Sequence, residues 1–312
     1  RRARRGDRAA GPVTDGAPAP LYVLHNRPDL DSPVLVVALE GWIDAGLGAA
    51  AAAQALVADL KPTSIATFDA DRLLDYRARR PVMHLRDGVN TALTWPGIEL
   101  HHAHDHAGRD VLLLLGHEPD SLWRLFTEQV VSLAVDFGTR LVVGLGAYPF
   151  AAPHTRPSRL STTANSTELA ERLGFLRNSV DVPAGVEAAI ERRCAEVGLP
   201  AVGLWAQVPH YAAAMPYPPA SIALIDGLGQ AAGLSVRADS LRQAAAEHVA
   251  RLDELVAQSD EHREMLRQLE AQADAETAAM PGAETLAPIN PSDLPTGDDL
   301  AAELERFLRE QG

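Results

Sequence analysis

Three groups of residues have the types and spacing to do chemistry. The apolar run "VLVVAL" (34–39) passes directly into Glu40, Gly41, Trp42 and Asp44, two carboxylates and an indole where a buried strand would simply turn. Placed at a strand end, Glu40, Trp42 and Asp44 would line one wall of a pocket. "HHAHDH" (101–106) sets His102, His104 and His106 on one face if the stretch is extended, a spacing open to a divalent metal or to a solvated strand or loop. The segments "AYPFAAPHTRP" (147–157) and "VPHY" (208–211) put His154, Arg156, His210 and Tyr211 just past two further apolar runs. In open α/β sheets that edge is where ligands bind, although each residue could equally hold a loop in place.

The segment "GLGAAA" (46–51) fits G-x-G-x-x-A, and Asp69 follows the next apolar run about 20 residues on, where a ribose-binding acid would stand. The spacing argues against a dinucleotide site. A phosphate turn needs its first glycine directly after the strand, whereas Gly46 lies several residues later, in what reads as the helix. Asp44 is expected to cap that helix and compete for the amides a pyrophosphate would need. Gly46 and Gly48 are expected to allow close helix–sheet packing. The sequence contains no G-x-S-x-G, H-E-x-x-H or C-x-x-C, and no nucleophile stands beside an evident base. A binding or assembly role is therefore favoured over catalysis, with no cofactor and no metal required; a small-molecule enzyme is the alternative.

Positioning such residues requires strands, and the sequence supplies them as short Val/Leu runs between helical stretches. "VLVVAL" (34–39), "SIATFD" (64–69), "VLLLLG" (111–116), "LVVGLGAY" (141–148) and "AVGLWAQVPHY" (201–211) read as core strands. Helices are expected over about 45–60, 121–137 (capped by Asp120 or Ser121) and "VEAAIERRCAEVG" (186–198). Apolar runs bounded by helices mean strands covered on both faces, hence a three-layer α/β/α sandwich with a largely parallel sheet. Between the second and third runs, "RPVMHLRDGVNTALTW" (80–95) carries Asp87-Gly88 between β-prone segments, the mark of an inserted hairpin and a candidate oligomerisation arm.

After about residue 237 no strand pattern remains. Leu241, Ala245, His248, Leu252, Leu255, Ser259, His262, Leu266, Leu269 and Ala273 keep a four-three spacing, which predicts one helix over 239–274. The polar members weaken the seam, so this helix is expected to lie on the core as a lid over the pocket, or else to form an arm for a partner. The organisation read from the chain is thus a disordered Arg/Gly/Pro/Ala leader (1–20), an α/β core (21–236), a helical lid or arm (237–280), and a Pro-rich linker with a last amphipathic helix over 298–309 (281–312).

Composition narrows the functional classes. A net charge of −14 opposes phosphate backbones and speaks against nucleic acid, and no apolar run approaches the ~20 residues of a membrane span. Lys61 is the sole lysine, so any Schiff-base or P-loop chemistry would rest on that residue alone. The single cysteine, Cys194, shares a helix face with Ile190 and Val197; it reads as a buried core residue and suits a reducing cytoplasm.

Taken together, "ALEGWIDAG" (38–46), "YRARRP" (76–81), "LLLGHEPD" (113–120), "GLGAYP" (144–149), "PHTRP" (153–157), "TAN" (163–165) and "VPHY" (208–211) resemble the proteasome assembly chaperone 2 superfamily in its actinobacterial-type branch, over about residues 21–275. The resemblance implies a phosphorylase/hydrolase-like α/β fold, self-association with a trimer expected, and a possible protein partner, but no established reaction. It also gathers Glu40, Gly41, Trp42, Asp44, Asp69, Arg79, Glu118, Tyr148, His154, Arg156, Asn165, His210 and Tyr211 as pocket-lining candidates. Arg79 or Arg156 is expected to meet a carboxylate there, since a buried charge must be paired. Eukaryotic and archaeal chaperones of this superfamily dock through a C-terminal hydrophobic-Tyr-X tail; this chain ends "LREQG", so docking of that kind is not expected.

Overall fold

The computed structural model describes residues 19–173 and 179–279. The expected leader falls almost entirely outside the described residues, and the 281–312 linker and helix wholly outside them.

The strands are β1 (Tyr22–Leu24), β2 (Val34–Glu40), β3 (Thr63–Phe68), β4 (Val82–Arg86), β5 (Val89–Thr94), β6 (Ile98–His104), β7 (Asp110–His117), β8 (Leu141–Phe150), β9 (Leu160–Ala164) and β10 (Ala201–Pro209). Eight form one sheet in the order β1-β3-β6-β7-β2-β8-β10-β9. The central β7, β2, β8 and β10 pair in parallel, whereas β1/β3, β3/β6, β6/β7 and β10/β9 are antiparallel. The sheet is therefore mixed, with its parallel part confined to the Val/Leu runs that need cover on both faces. β6 is a full member of it, not a solvated strand, and its His-rich sequence concealed the buried Ile98 and Leu100 on one face and the buried Ala103 on the other.

The helices are α1 (Gly48–Leu60), α2 (Ala70–Leu73), α3 (Trp123–Asp136), α4 (Thr167–Leu173), α5 (Val186–Val197), α6 (Pro218–Ala232), α7 (Asp239–Ala257) and α8 (Asp260–Ala279). One core lies between the sheet and α1 with α6, where Ala49, Ala52, Leu56, Leu224 and Leu228 meet Val36, Val143 and Leu204. The other lies beneath α3 and α5, where Phe126, Val130 and Ile190 meet Leu35, Leu112 and Leu114. Helices on both faces make the expected three-layer sandwich. Cys194 is fully buried in the second core, and burial pushes its thiol up to about 12, so it is inert packing.

Three local expectations change. Neither Asp120 nor Ser121 caps α3: Leu122 holds the N-cap position without a side-chain bond, while Ser121 donates to the Arg72 carbonyl. Gly46 precedes α1, in a 3-10 turn over Ala45–Leu47 with φ 61°, a backbone only glycine adopts without strain. A Cβ there would stand 2.6 Å from the Tyr217 Cβ. The helix expected over 239–274 is two helices, because Ser259 accepts the His262 amide at 3.4 Å and starts α8 afresh. The 80–95 hairpin does form: β4 and β5 pair only with each other, as a separate two-stranded sheet.

Candidate functional site

The centre of the sheet's carboxyl edge is an interruption. β2 pairs with β8 only as far as Val37–Gly144, then departs through Glu40–Ile43 and touches β8 again at a single Asp44–Ala147 bridge. This excursion is where the apolar strand meets its carboxylates. Glu40 and Trp42 ride on it exposed, Trp42 with 57% of its surface free.

The chain's own acids fill the gap. The Asp44 carboxylate accepts the Ala49 and Ala50 amides at 2.7 and 2.9 Å; it satisfies the first turn of α1 from before the 3-10 turn, while Leu47, not Asp44, holds the N-cap position. Burial still raises its pKa, against the pull of those amides. Glu118 arrives from the end of β7, accepts the Val186 amide at 2.5 Å and so anchors the start of α5. Its side chain lies against Gly41, where a Cβ would approach Glu118 Oε2 to 2.5 Å; only glycine fits. Glu187, from α5, takes the Leu39 amide at 3.4 Å, a donor that no longer pairs with β8. Burial, then the neighbouring Glu118, Asp44 and Glu191 charges, hold the Glu187 carboxyl well above the usual range. His117 Nδ1 lies 3.3 Å from Glu40 Oε2.

Beside this cluster a cleft of about 300 Å³ opens between α1 and the ends of β2 and β7. Glu40, Asp44, Gln54, Val57 and Leu115 line it, and its floor is mostly alanine. Small side chains on α1 leave this space; larger ones would close it.

On the other side of the edge, past β8 and β10, the polar residues bind the C-terminal helices. Buried His154 receives the Tyr211 hydroxyl at Nδ1 (2.7 Å) and faces Asp253 of α7 through Nε2 at 3.2 Å. Its backbone N–H also donates to the Tyr211 oxygen, at 2.8 Å. In the tautomer with the ring proton on Nε2, Tyr211 donates to Nδ1 and the Nε2–H faces Asp253. Burial pushes Tyr211 up to about 12, which makes it a poor nucleophile at neutral pH. Thr155 donates to Glu270 at 2.5 Å, and Arg156 makes a two-pronged bond to Asp274 at 2.9 and 2.8 Å. Tyr217 is fully buried with its ring 5.5 Å from that of His248 on α7. A space of about 20 Å³ remains between the 150–159 loop, Gln207 and α8, enough for about one water.

The candidates thus separate. Glu40, Gly41, Asp44 and Glu118 come together, with Trp42 on the rim. Tyr148, His154, Arg156, His210 and Tyr211 belong to the other half, where Tyr148 accepts from Gln207 at 3.0 Å and His210 is exposed beside the Tyr211 ring. Asn165 leaves the site: it bonds the Leu199 carbonyl and Ala201 amide at the opposite edge, because β9 runs against β10. Asp69 caps α2 through the Arg72 amide. Both arginines meet carboxylates, but Arg79 meets Asp120 at 2.5 Å and Arg156 meets Asp274 and Glu270; neither reaches Glu40, Asp44 or Glu118. Sequence reasoning missed Glu187, Gln207 and Asp253. Glu187 and Glu191 lie four apart, each three residues before the buried Ile190 or Cys194, and that offset was the available signal.

A mixed sheet between two helical layers, with the crevice between β2 and β8 closed from within, defines the class of α/β fold. Residues 38–256 match the family model described as "PAC2 family", and the chain belongs to that family. A Mycobacterium tuberculosis protein of unknown function is 37% identical with a TM-score of 0.76, over 86% of this chain and 94% of the other. A Corynebacterium glutamicum protein of unknown function is 31% identical with a TM-score of 0.79, over 83% and 99%. A second M. tuberculosis protein, titled a proteasome-assembly chaperone homologue, is 33% identical with a TM-score of 0.69, over 75% and 99%. No curated protein matches the chain significantly. No helix among the described residues is long and apolar enough to cross a membrane.

Proposed function

We propose that the chain is a non-catalytic assembly or binding protein whose partner is another protein, with the proteasome core as the first partner to test. One observation carries this reading. Asp44, Glu118 and Glu187, the acids best placed for chemistry, are each spent on a backbone amide of the chain itself. A reactive site needs groups held ready for substrate; here they hold the fold. The relative titled a proteasome-assembly chaperone homologue supports the choice of partner. Mixing the purified chain with separately expressed proteasome α and β subunits tests it by size-exclusion chromatography with light scattering. Co-elution, or a change in the rate of core assembly, is expected. Absence of both effects rejects the proteasome as partner.

The enzyme alternative uses the cleft beside Glu40. It would be favoured by a saturable thermal shift with nucleosides, phosphates or acylated amines that Glu40→Gln abolishes. No shift with any of these compounds would remove it.

Self-association is proposed through the hairpin, as a trimer. Val82, Met83, Leu85, Val89 and Leu93 are all exposed on β4 and β5, and Trp95 follows them, also exposed. That much apolar surface on one projecting ribbon is uncommon for a monomer. Replacing residues 82–94 by a short Gly-Ser loop is expected to lower the mass in light scattering; an unchanged mass rejects the hairpin as the interface. A reducing cytoplasm remains the proposed compartment, consistent with one buried thiol.

A further inference from the structure

We propose that His102, His104 and Asp110 form a binding site for one first-row divalent metal ion, such as zinc, at the amino-terminal end of β7, away from the carboxyl edge. Strand alternation puts His102 and His104 on the same face of β6. The antiparallel register then sets Asp110 directly opposite His104. The three side chains converge: Asp110 Oδ1 lies 2.8 Å from His102 Nε2 and 3.1 Å from His104 Nε2, and all three donor atoms fall within 4.8 Å of one another.

The spacing suits a shared ion. Two donors each about 2.1 Å from a metal stand about 3.0 Å apart at a right angle and about 3.4 Å apart at the tetrahedral angle. The carboxylate is also held in orientation, because its second oxygen accepts the Asp31 amide at 2.8 Å. Ligands aimed by such outer contacts bind metal better than free ones. His102 and Asp110 are largely buried, whereas His104 is 62% exposed, which gives an ion a route in and one ligand free to adjust. Two imidazoles with one carboxylate select zinc, cobalt or nickel over magnesium or calcium, and leave coordination positions for water or another ligand.

This set differs from the one that sequence spacing suggested. His106 turns away to Asp59 at 2.9 and 3.0 Å, and Asp110 takes its place. His101 points to the other face of β6, near Glu99.

The test uses the untagged, metal-stripped chain. Zinc binding is measured by calorimetry and Co2+ binding by visible absorption. One ion per chain is expected, with at least a tenfold weaker affinity in His104→Ala and Asp110→Asn and none lost in His106→Ala. Asp110→Asn keeps an acceptor for the Asp31 amide, and His104 is exposed, so both variants retain the fold; circular dichroism and the metal-free thermal midpoint verify this. No saturable one-to-one binding overturns the proposal. So does parental affinity in the two variants, or an equal loss in His106→Ala.

Discussion

The two halves of the carboxyl edge handle similar polar residues in opposite ways. Past β8 and β10, His154, Thr155, Arg156 and Tyr211 are tied to α7 and α8, and the remaining space is about one water in size. Beside β2 and β7, the acids are tied to local backbone amides and a cleft of about 300 Å³ stays open, with Trp42 uncovered. The difference comes from what packs above: two amphipathic helices on one side, and on the other an alanine floor over which none of the described elements lies. It teaches that polar residues at strand ends do not of themselves make a site; what matters is whether their bonds are already used by the fold.

That contrast predicts large stability effects on the closed half and small ones on the open half. Tyr217→Ala should be the most damaging change, since it empties the volume beneath α7 and next to Gly46; about 3–5 kcal/mol of stability should be lost in urea unfolding. A loss below about 1 kcal/mol would show that the closed half is not packed as described. His154→Ala removes the link between Tyr211 and Asp253, leaves the Tyr211 oxygen only the residue 154 backbone N–H as a partner, and should cost about 1–3 kcal/mol in the same measurement.

Truncation at residue 236 sharpens the comparison directly. Amides of 153–159 should exchange at least tenfold faster, while those of Glu40–Asp44 should not change. Among the described residues α7 and α8 bond the 153–159 loop and Asp226 of α6, and not the Glu40–Asp44 turn. Faster exchange at both places would mean that the helices cover the whole edge.

The open half predicts a pH signature. Glu187 has its pKa raised in the fold from an ordinary value of 4.5 by burial and nearby carboxylates. Below that ordinary value the carboxyl is protonated in both states and contributes no pH dependence. As pH rises from there towards the raised folded value, the unfolded chain releases its proton first, so stability declines, and it levels off above the folded value. Glu187→Gln keeps an acceptor for the Leu39 amide and should flatten this decline; an unchanged stability–pH curve would place its source elsewhere. Trp42→Ala should be the mildest substitution, within about 0.5 kcal/mol in thermal melts, as expected for an exposed side chain. Its effect should appear instead in partner binding.

How much of this the sequence carried depended on range. β2, β7, β8 and β10 were legible because Val/Leu runs in buried parallel strands are nearly continuous, and β3 because its apolar Ile65 and Phe68 stand in a short β-prone run, although it pairs antiparallel on both sides. β6 was not, since histidines at alternate positions look equally like a loop, and β9 ("LSTTA") has too few apolar residues to register. Asp44 was readable as an acceptor for the first turn of α1 because its amide partners lie five and six residues on. The partners of Arg156 and Glu118 were not, because they lie 118 and 68 residues away and only the fold brings them close. The α7–α8 break escaped notice for another reason: the four-three spacing continues through Ser259, so periodicity saw one helix where capping made two.

The position of β2 also bears on how the chain is made. It is an early strand in the sequence and the middle strand of the sheet, yet both its neighbours, β7 and β8, are synthesised much later. A ribosome adding about 5–20 residues per second emits Val34–Leu39 several seconds before either neighbour exists. During that interval an apolar segment with free strand edges is open to the wrong contacts. Nascent chains halted before residue 141 should therefore bind holdase chaperones, and chains that extend past β10 at Pro209 should bind them less, since β2 and β8 then both have partners. One flank of the sheet is thus synthesised inward, from β3 through β6 to β7 beside β2, and the other outward, from β8 to β10.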